Sequence, residues 1–290
     1  MPHRSTDRIA ALAPLFVIAS GLMQYVGASI AVQLFAVAGA GAVAWGRFSI
    51  AGIILIAWRR PAIPLSGAHA TLKFLITPVL FGLALTTMNV VFYYAISFIH
   101  LGTAVALEFL GPVILAALTG KRWQERIGIV FALIGVFLIS WIGIDLTNRQ
   151  QLLGFVLALA AGIFWALYIW LGRKVSTQAN GPDSLAIGFC AGAIAYLPLA
   201  VSGFGPILAS WRLFALMVAV ALLSSLAPFL LDITIFKHLR PSAYSLISSL
   251  FPATSLVVGL VLLHQTPSLG GLLGLACVSI AVALAAEHSS

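Results

Sequence analysis

Seven stretches of this 290-residue chain run for 18 residues or more without an Asp, Glu, Lys or Arg: 9–46, 74–107, 127–144, 150–172, 184–211, 213–231 and 241–286. A helix of roughly 20 apolar residues crosses a bilayer, so these stretches can only be membrane spans, and the longest must hold two each. With 62% hydrophobic and 8% charged residues, against roughly 25% charged in soluble domains, a soluble domain is excluded. Turn and helix-stop signals inside the stretches predict ten helices, at 9–30, 40–58, 74–97, 102–119, 127–143, 152–172, 184–202, 213–236, 242–263 and 269–286. Breaks fall at Gly39-Ala40-Gly41, Pro61 to Pro64, His100-Leu101-Gly102, Lys121-Arg122, Asp145 to Arg149, Gly181-Pro182, Gly203 to Pro206, Arg240-Pro241 and Thr266-Pro267.

Short cytoplasmic loops retain Lys and Arg. With the N-terminus inside, Arg4, Arg8, Arg59, Arg60, Lys73, Lys121, Arg122, Arg126, Arg173, Lys174, Lys237 and Arg240 fall on the cytoplasmic side, and only Arg149 and Arg212 fall outside. Both termini are then cytoplasmic. The net charge of +8 follows from this topology and gives no support to nucleic-acid binding. The first apolar run follows a basic segment, as a secretory signal would, but it is longer than a signal core and is expected to stay as a structural helix.

Residues 98–112, FIHLGTAVALEFLGP, have an echo at Phe236-Lys237-His238-Leu239, Ser242-Ala243 and Pro252. A duplicated unit of five helices, an odd number, must re-enter the membrane from the opposite side. The fold expected is therefore all-α, with ten transmembrane helices in two inverted five-helix repeats: a tail at 1–8, one repeat at 9–143 and the other at 152–286. Inverted repeats with broken helices place a substrate site near the midplane between them.

Gln24, Arg47, Asn89 and Glu108 each lie six to eight residues from the outer ends of their helices, roughly 9–12 Å deep at about 1.5 Å per residue. A charge at that depth costs about 2.5–3.5 kcal/mol on insertion scales, so pairing or cavity lining is expected. Arg47 and Glu108 either tie helices two and four together or bind substrate: a guanidinium receives a carboxylate through two hydrogen bonds, and a carboxylate receives an amino group or a proton. Asn89 and Gln24 serve equally as substrate contacts or as interhelical fasteners. Trp165 and Tyr93 belong to an aromatic cluster, with Tyr25, Phe92, Tyr94 and Tyr168, that packs the helices or walls a site. Pro112 and Pro252 free backbone carbonyls at membrane depth and are read as gating hinges. Asp232, near a helix end and Lys237, reads as an interfacial residue; His100, His238 and His264 also sit at helix ends, while His3 and His69 read as solvated.

Cys190 and Cys277 lie in apolar helices without metal-ligand spacing, so neither a disulfide nor a metal is expected. No nucleotide-binding loop or nucleophile elbow is present, so no ATP-driven mechanism, enzyme activity or cofactor is indicated. Gly188/Gly192 and Gly270/Gly274 form small faces that favour close helix packing rather than dimerisation, and a monomer is expected.

The ten-helix pattern with proline-broken fourth and ninth helices resembles the drug/metabolite transporter superfamily (EamA-like). Gly27-Ala28-Ser29, Arg47 with Ile53 to Ala57, Met88-Asn89 with Phe92-Tyr93, and Ala104 to Phe109 with Gly111-Pro112 resemble its threonine and homoserine exporter subgroup. The resemblance implies secondary active efflux of amino acids or related metabolites from a bacterial cytoplasm across the inner membrane; with the polar layer it favours small polar amino acids first, and export without ATP needs a downhill ion, for which Glu108 is expected to carry a proton. Aromatic amino acids or other small metabolites are the alternative substrates, and a non-transporting membrane scaffold is the alternative of another class. Many such relatives carry Glu before the ninth-helix proline and Gly-Glu near that helix's end, where this chain has Phe251-Pro252 and His264-Gln265.

Overall fold

The structure, a computed structural model, describes residues 3–62, 68–112, 147–178, 180–201, 203–238, 251–266 and 268–286, with isolated positions between 127 and 145. The described residues are almost entirely helical and include no strand. In chain order the elements are α1 His3–Arg59, α2 Ala68–Phe98, α3 Leu101–Glu108 (helical turns continue to Pro112), α4 Arg149–Gln178, α5 Gly181–Ala195, α6 Leu197–Val201, α7 Gly205–Ala209, α8 Trp211–Ala221, a π-helical segment Leu222–Leu226, α9 Ala227–His238, α10 Phe251–Leu263 and α11 Leu269–Ala286. Among the described residues four segments are long and apolar enough to cross a membrane: Leu15–Arg59, Phe74–Phe98, Arg149–Thr177 and Trp211–Lys237.

The predicted break at residues 39–41 is a kink inside α1. Gly39 has φ 74° and ψ 154°, a region essentially reserved for glycine. A Cβ there would meet nothing within 4 Å, so backbone conformation alone dictates the residue. Gly39→Val is therefore expected to destabilise the protein by about 1–3 kcal/mol, read as a lower thermal midpoint in detergent.

The predicted 184–202 span divides at Tyr196 into α5 and α6, and the 213–236 span divides into α8, the π segment and α9. Of the predicted 102–119 helix the structure describes the part up to Pro112, of 242–263 the part from Phe251, and of 127–143 only isolated positions; Lys121, Arg122, Arg126 and Arg240 lie outside the described residues.

Helices approach where side chains are missing. A Cβ on Gly82 of α2 would overlap Gly188 of α5, and one on Gly192 would overlap Thr86. Gly188 and Gly192 thus serve the α2–α5 crossing. Gly111 and Gly162 play the same part between the α3 segment and α4. Without apolar solvent exclusion inside a bilayer, such van der Waals contact is what joins helices. One end of the bundle is basic: Arg59 Nε donates to Asp183 Oδ1 (2.9 Å), Arg173 Nη1 donates to the Phe236 carbonyl (3.0 Å), and exposed Lys174 and Lys237 stand beside them. The half-exposed Arg59–Asp183 pair is worth at most about 1 kcal/mol, so it orients the α1 and α5 ends rather than stabilising them. Beyond the isolated positions, Asp145 opens the turn into α4. Thr147 donates to its Oδ1 from both N (3.0 Å) and Oγ1 (2.6 Å), and these bonds hold the carboxyl below the usual carboxylate range.

Candidate substrate site

Arg47 lies on the second limb of α1 and is only 2% exposed. Its Nε donates to Ser225 Oγ (2.7 Å), and its Nη2 donates to Asn89 Oδ1 (2.7 Å) and to the Ser224 carbonyl (2.6 Å). The last bond has a cause in the sequence. Pro228 has no N–H, so the carbonyl four residues earlier, that of Ser224, loses its α-helical donor; the chain forms a π segment there, and the carbonyl turns to the guanidinium. Such π segments recur at functional sites. Asn89 donates its Nδ2 to Leu85 O (2.8 Å), which fixes Oδ1 toward Arg47. The guanidinium carbon also stands 4.6 Å from the Tyr93 ring centroid and 5.0 Å from that of Phe48, a cation–π arrangement that offsets burial of the charge.

Glu108 closes α3, 7% exposed. Pro112 again deprives the carbonyl four residues back of its donor, and that Glu108 carbonyl packs on Gly162, where a Cβ would come within 2.5 Å of it. The Gly111–Gly162 crossing thereby sets where the Glu108 carboxyl sits. Among the described residues that carboxyl has neither an ion pair nor a hydrogen bond. Of the two readings of the pair, a direct Arg47–Glu108 ion pair is not seen among the described residues: the Arg47 Nε and Nη2 meet the π segment and Asn89.

Trp165 of α4 belongs to an aromatic wall. Its ring lies 4.3 Å from Phe109, edge-on, and 6.4 Å from Phe251, nearly parallel; Tyr25 meets Phe251 edge-on at 6.0 Å. Phe251, where the resemblance would place Glu, is therefore part of an apolar wall. The ring presses on α1 so closely that a Cβ at Gly21 would come within 2.6 Å of it. Pro252 lies in the first turn of α10.

Asp232 requires a correction. It is not interfacial but 1% exposed, because its face of α9 packs into the bundle against Ser20 of α1 and Tyr168 of α4. Ser20 Oγ donates to Asp232 Oδ1 (3.1 Å), and the Tyr168 hydroxyl donates to Oδ2 (3.4 Å). Gln24 Nε2 in turn donates to Ser20 Oγ (3.4 Å). His100 and His264 are exposed beside Gln265, whose Oε1 accepts the Leu101 N–H (3.0 Å).

All six residues singled out from the sequence, Gln24, Arg47, Asn89, Tyr93, Glu108 and Trp165, line one cavity of about 30 Å³, which they share with Tyr168, Ser224, Asp232 and Phe251. Sequence reasoning missed Ser224, Ser225 and Asp232. Pro228 was the available signal for the serines, since it marks a broken helix just as Pro112 does. The cavity gathers one guanidinium, two carboxyls, two amides and an aromatic wall, groups that complement a small zwitterion. At roughly 10–15 Å³ per water it admits water but nothing the size of an amino acid.

Residues 152–286 match the EamA-like transporter family. The threonine/homoserine exporter RhtA of Salmonella typhimurium (strain SL1344) is 34% identical over 214 residues, 73% of this chain and 70% of that protein. RhtA of Escherichia coli (strain K12) is 34% identical over 190 residues, 65% of this chain and 64% of its own length. A solved crystal structure with 17% identity superposes with a TM-score of 0.60 over 95% of this chain and 97% of its own, which shows a shared fold. The chain belongs to the EamA-like transporter family, in its RhtA-like subgroup. It is a membrane transporter and not an enzyme.

Proposed function

We propose that the protein exports small polar amino acids, threonine and homoserine first, from the cytoplasm across the bacterial inner membrane in exchange for protons. The observation that carries this reading is one cavity that brings Arg47 together with the Glu108 carboxyl, which has no ion pair or hydrogen bond among the described residues. The 34% identity to threonine/homoserine exporters supports the substrate class. Arg47 receives the substrate carboxylate, Asn89 and Gln24 receive its side-chain hydroxyl, Trp165 and Tyr93 wall the apolar portion, and Glu108 exchanges the proton. Kinks at Pro112 and Pro252 let two inverted five-helix repeats, 9–143 and 152–286, rock about the site. The carrier works as a monomer, held by the lipid bilayer with both termini in the cytoplasm. Overexpression is expected to lower cytoplasmic threonine and homoserine and to raise tolerance of their toxic analogues; unchanged levels of every amino acid despite verified protein would remove the reading.

The topology has its own test. Cysteines introduced beside Arg149 should react with an impermeant thiol reagent added to intact cells, and cysteines beside Lys121 should not. Labelling of both from the same side would contradict the inverted-repeat arrangement.

A further inference from the structure

We infer that Asp232 is the ammonium-binding residue of the cavity and hence the residue that selects α-amino acids over other small acids. The inference rests on the proposed amino-acid export and divides labour between the two buried carboxyls. Glu108, without an ion pair or hydrogen bond among the described residues, is built to change its protonation. Asp232 is held in position by hydroxyls from two other helices. Each oxygen of the Asp232 carboxyl meets a hydroxyl, Ser20 at Oδ1 (3.1 Å) and Tyr168 at Oδ2 (3.4 Å).

These contacts also set the geometry. Ser20 is itself positioned by Gln24 Nε2, and Tyr168 by ring contacts with Phe81 at 5.4 Å and Phe236 at 5.5 Å. A carboxylate fixed from two helices, α1 and α4, while belonging to a third, α9, is a rigid acceptor for a cation. Arg47 stands in the same cavity with its guanidinium drawn toward Ser224, Ser225 and Asn89. A ligand bridging Arg47 and Asp232 must carry an anion and a cation, as an α-amino acid does. Charge-assisted hydrogen bonds are the strong ones. An analogue lacking the ammonium leaves the buried Asp232 carboxylate facing an uncharged group.

The test uses the whole protein in liposomes and measures exchange of labelled threonine at equal pH on both sides, with two competitors: threonine, and 2,3-dihydroxybutyrate, in which a hydroxyl replaces the ammonium. Wild type is expected to favour threonine by roughly 10- to 100-fold, the range a hydrogen bond to a charged group supplies. Asp232→Asn should bring the two within about 3-fold of each other, the residue of discrimination once the charge is gone, while Asp232→Glu should restore a preference. Tyr168→Phe, which removes one hydroxyl and keeps the ring packing, should narrow the preference several-fold, and it decides the matter if Asp232→Asn does not fold. Full discrimination in folded Asp232→Asn, or an unchanged ratio in Tyr168→Phe, overturns the inference. If wild type exchanges threonine in those cases, amino-acid export stands and only the role of Asp232 is lost. If wild type exchanges no amino acid, the export reading itself fails and takes this inference with it.

Discussion

Glu108→Gln is expected to abolish threonine efflux driven by an acid exterior while leaving threonine exchange at equal pH largely intact. The amide keeps the volume of the side chain and cannot titrate. Because the carboxyl is in no ion pair with a described residue, the replacement breaks no link between helices, so the fold has little reason to change. Arg47 remains held by Asn89, Ser224 and Ser225 and still meets the substrate carboxylate. In preloaded vesicles the gradient-driven component should fall by ~10-fold or more, equivalent to about 1.4 kcal/mol in the barrier. Gradient-driven efflux with unaltered pH dependence would mean that the proton travels elsewhere, with His100 the next candidate, and would return Glu108 to a structural role.

Gly111→Ala is expected to cut transport per folded molecule at least ~10-fold. A Cβ at Gly111 would overlap the Gly162 carbonyl, a backbone atom that cannot rotate away, so the α3 segment must tilt or slide on α4. Alanine gains about 1 kcal/mol over glycine in helix propensity, but overpacking costs about 1–3 kcal/mol and occasionally more, so the clash prevails. The shift carries Glu108, one turn earlier, out of register with the cavity. Gly82→Ala is the comparison. Its Cβ would overlap Gly188 just as severely, at the α2–α5 crossing, whose glycines do not line the cavity. Both variants should lower the thermal midpoint, and transport normalised to folded protein should fall at least ~10-fold only in Gly111→Ala. Equal losses in the two variants would show that the crossing at Gly111 has no special hold on Glu108.

The helices and the membrane setting were legible because charge-free length is a property of sequence, and the kink at residues 39–41 because only glycine tolerates that backbone. The polar layer was legible as well, since residues at matching depths in different helices have few places to go but a common interior. What escaped depended on contacts. The depth of Asp232 could not be read because its place one turn from a helix end and near Lys237 made an interfacial pair the natural expectation, whereas the side chain faces Ser20 and Tyr168 of other helices. The partners of Arg47 escaped for another reason: Glu108 offered an obvious opposite charge, whereas a carbonyl released by Pro228 offers a partner with no formal charge at all. Close glycine pairs were visible as small faces, but which helix each face meets, α2 in the case of Gly188 and Gly192, is fixed only by the packing.

The most direct test of amino-acid export through this cavity is efflux of labelled threonine from liposomes containing the purified protein, preloaded at neutral pH and diluted into acidic buffer, with Arg47→Ala measured beside the wild type. Wild type should release threonine faster than protein-free vesicles, homoserine should compete, and Arg47→Ala should need roughly 10- to 100-fold more substrate for the same rate, the worth of hydrogen bonds to a charged group. Wild-type efflux no faster than leakage, or an Arg47→Ala protein that is folded and transports with unaltered substrate dependence, would contradict the account.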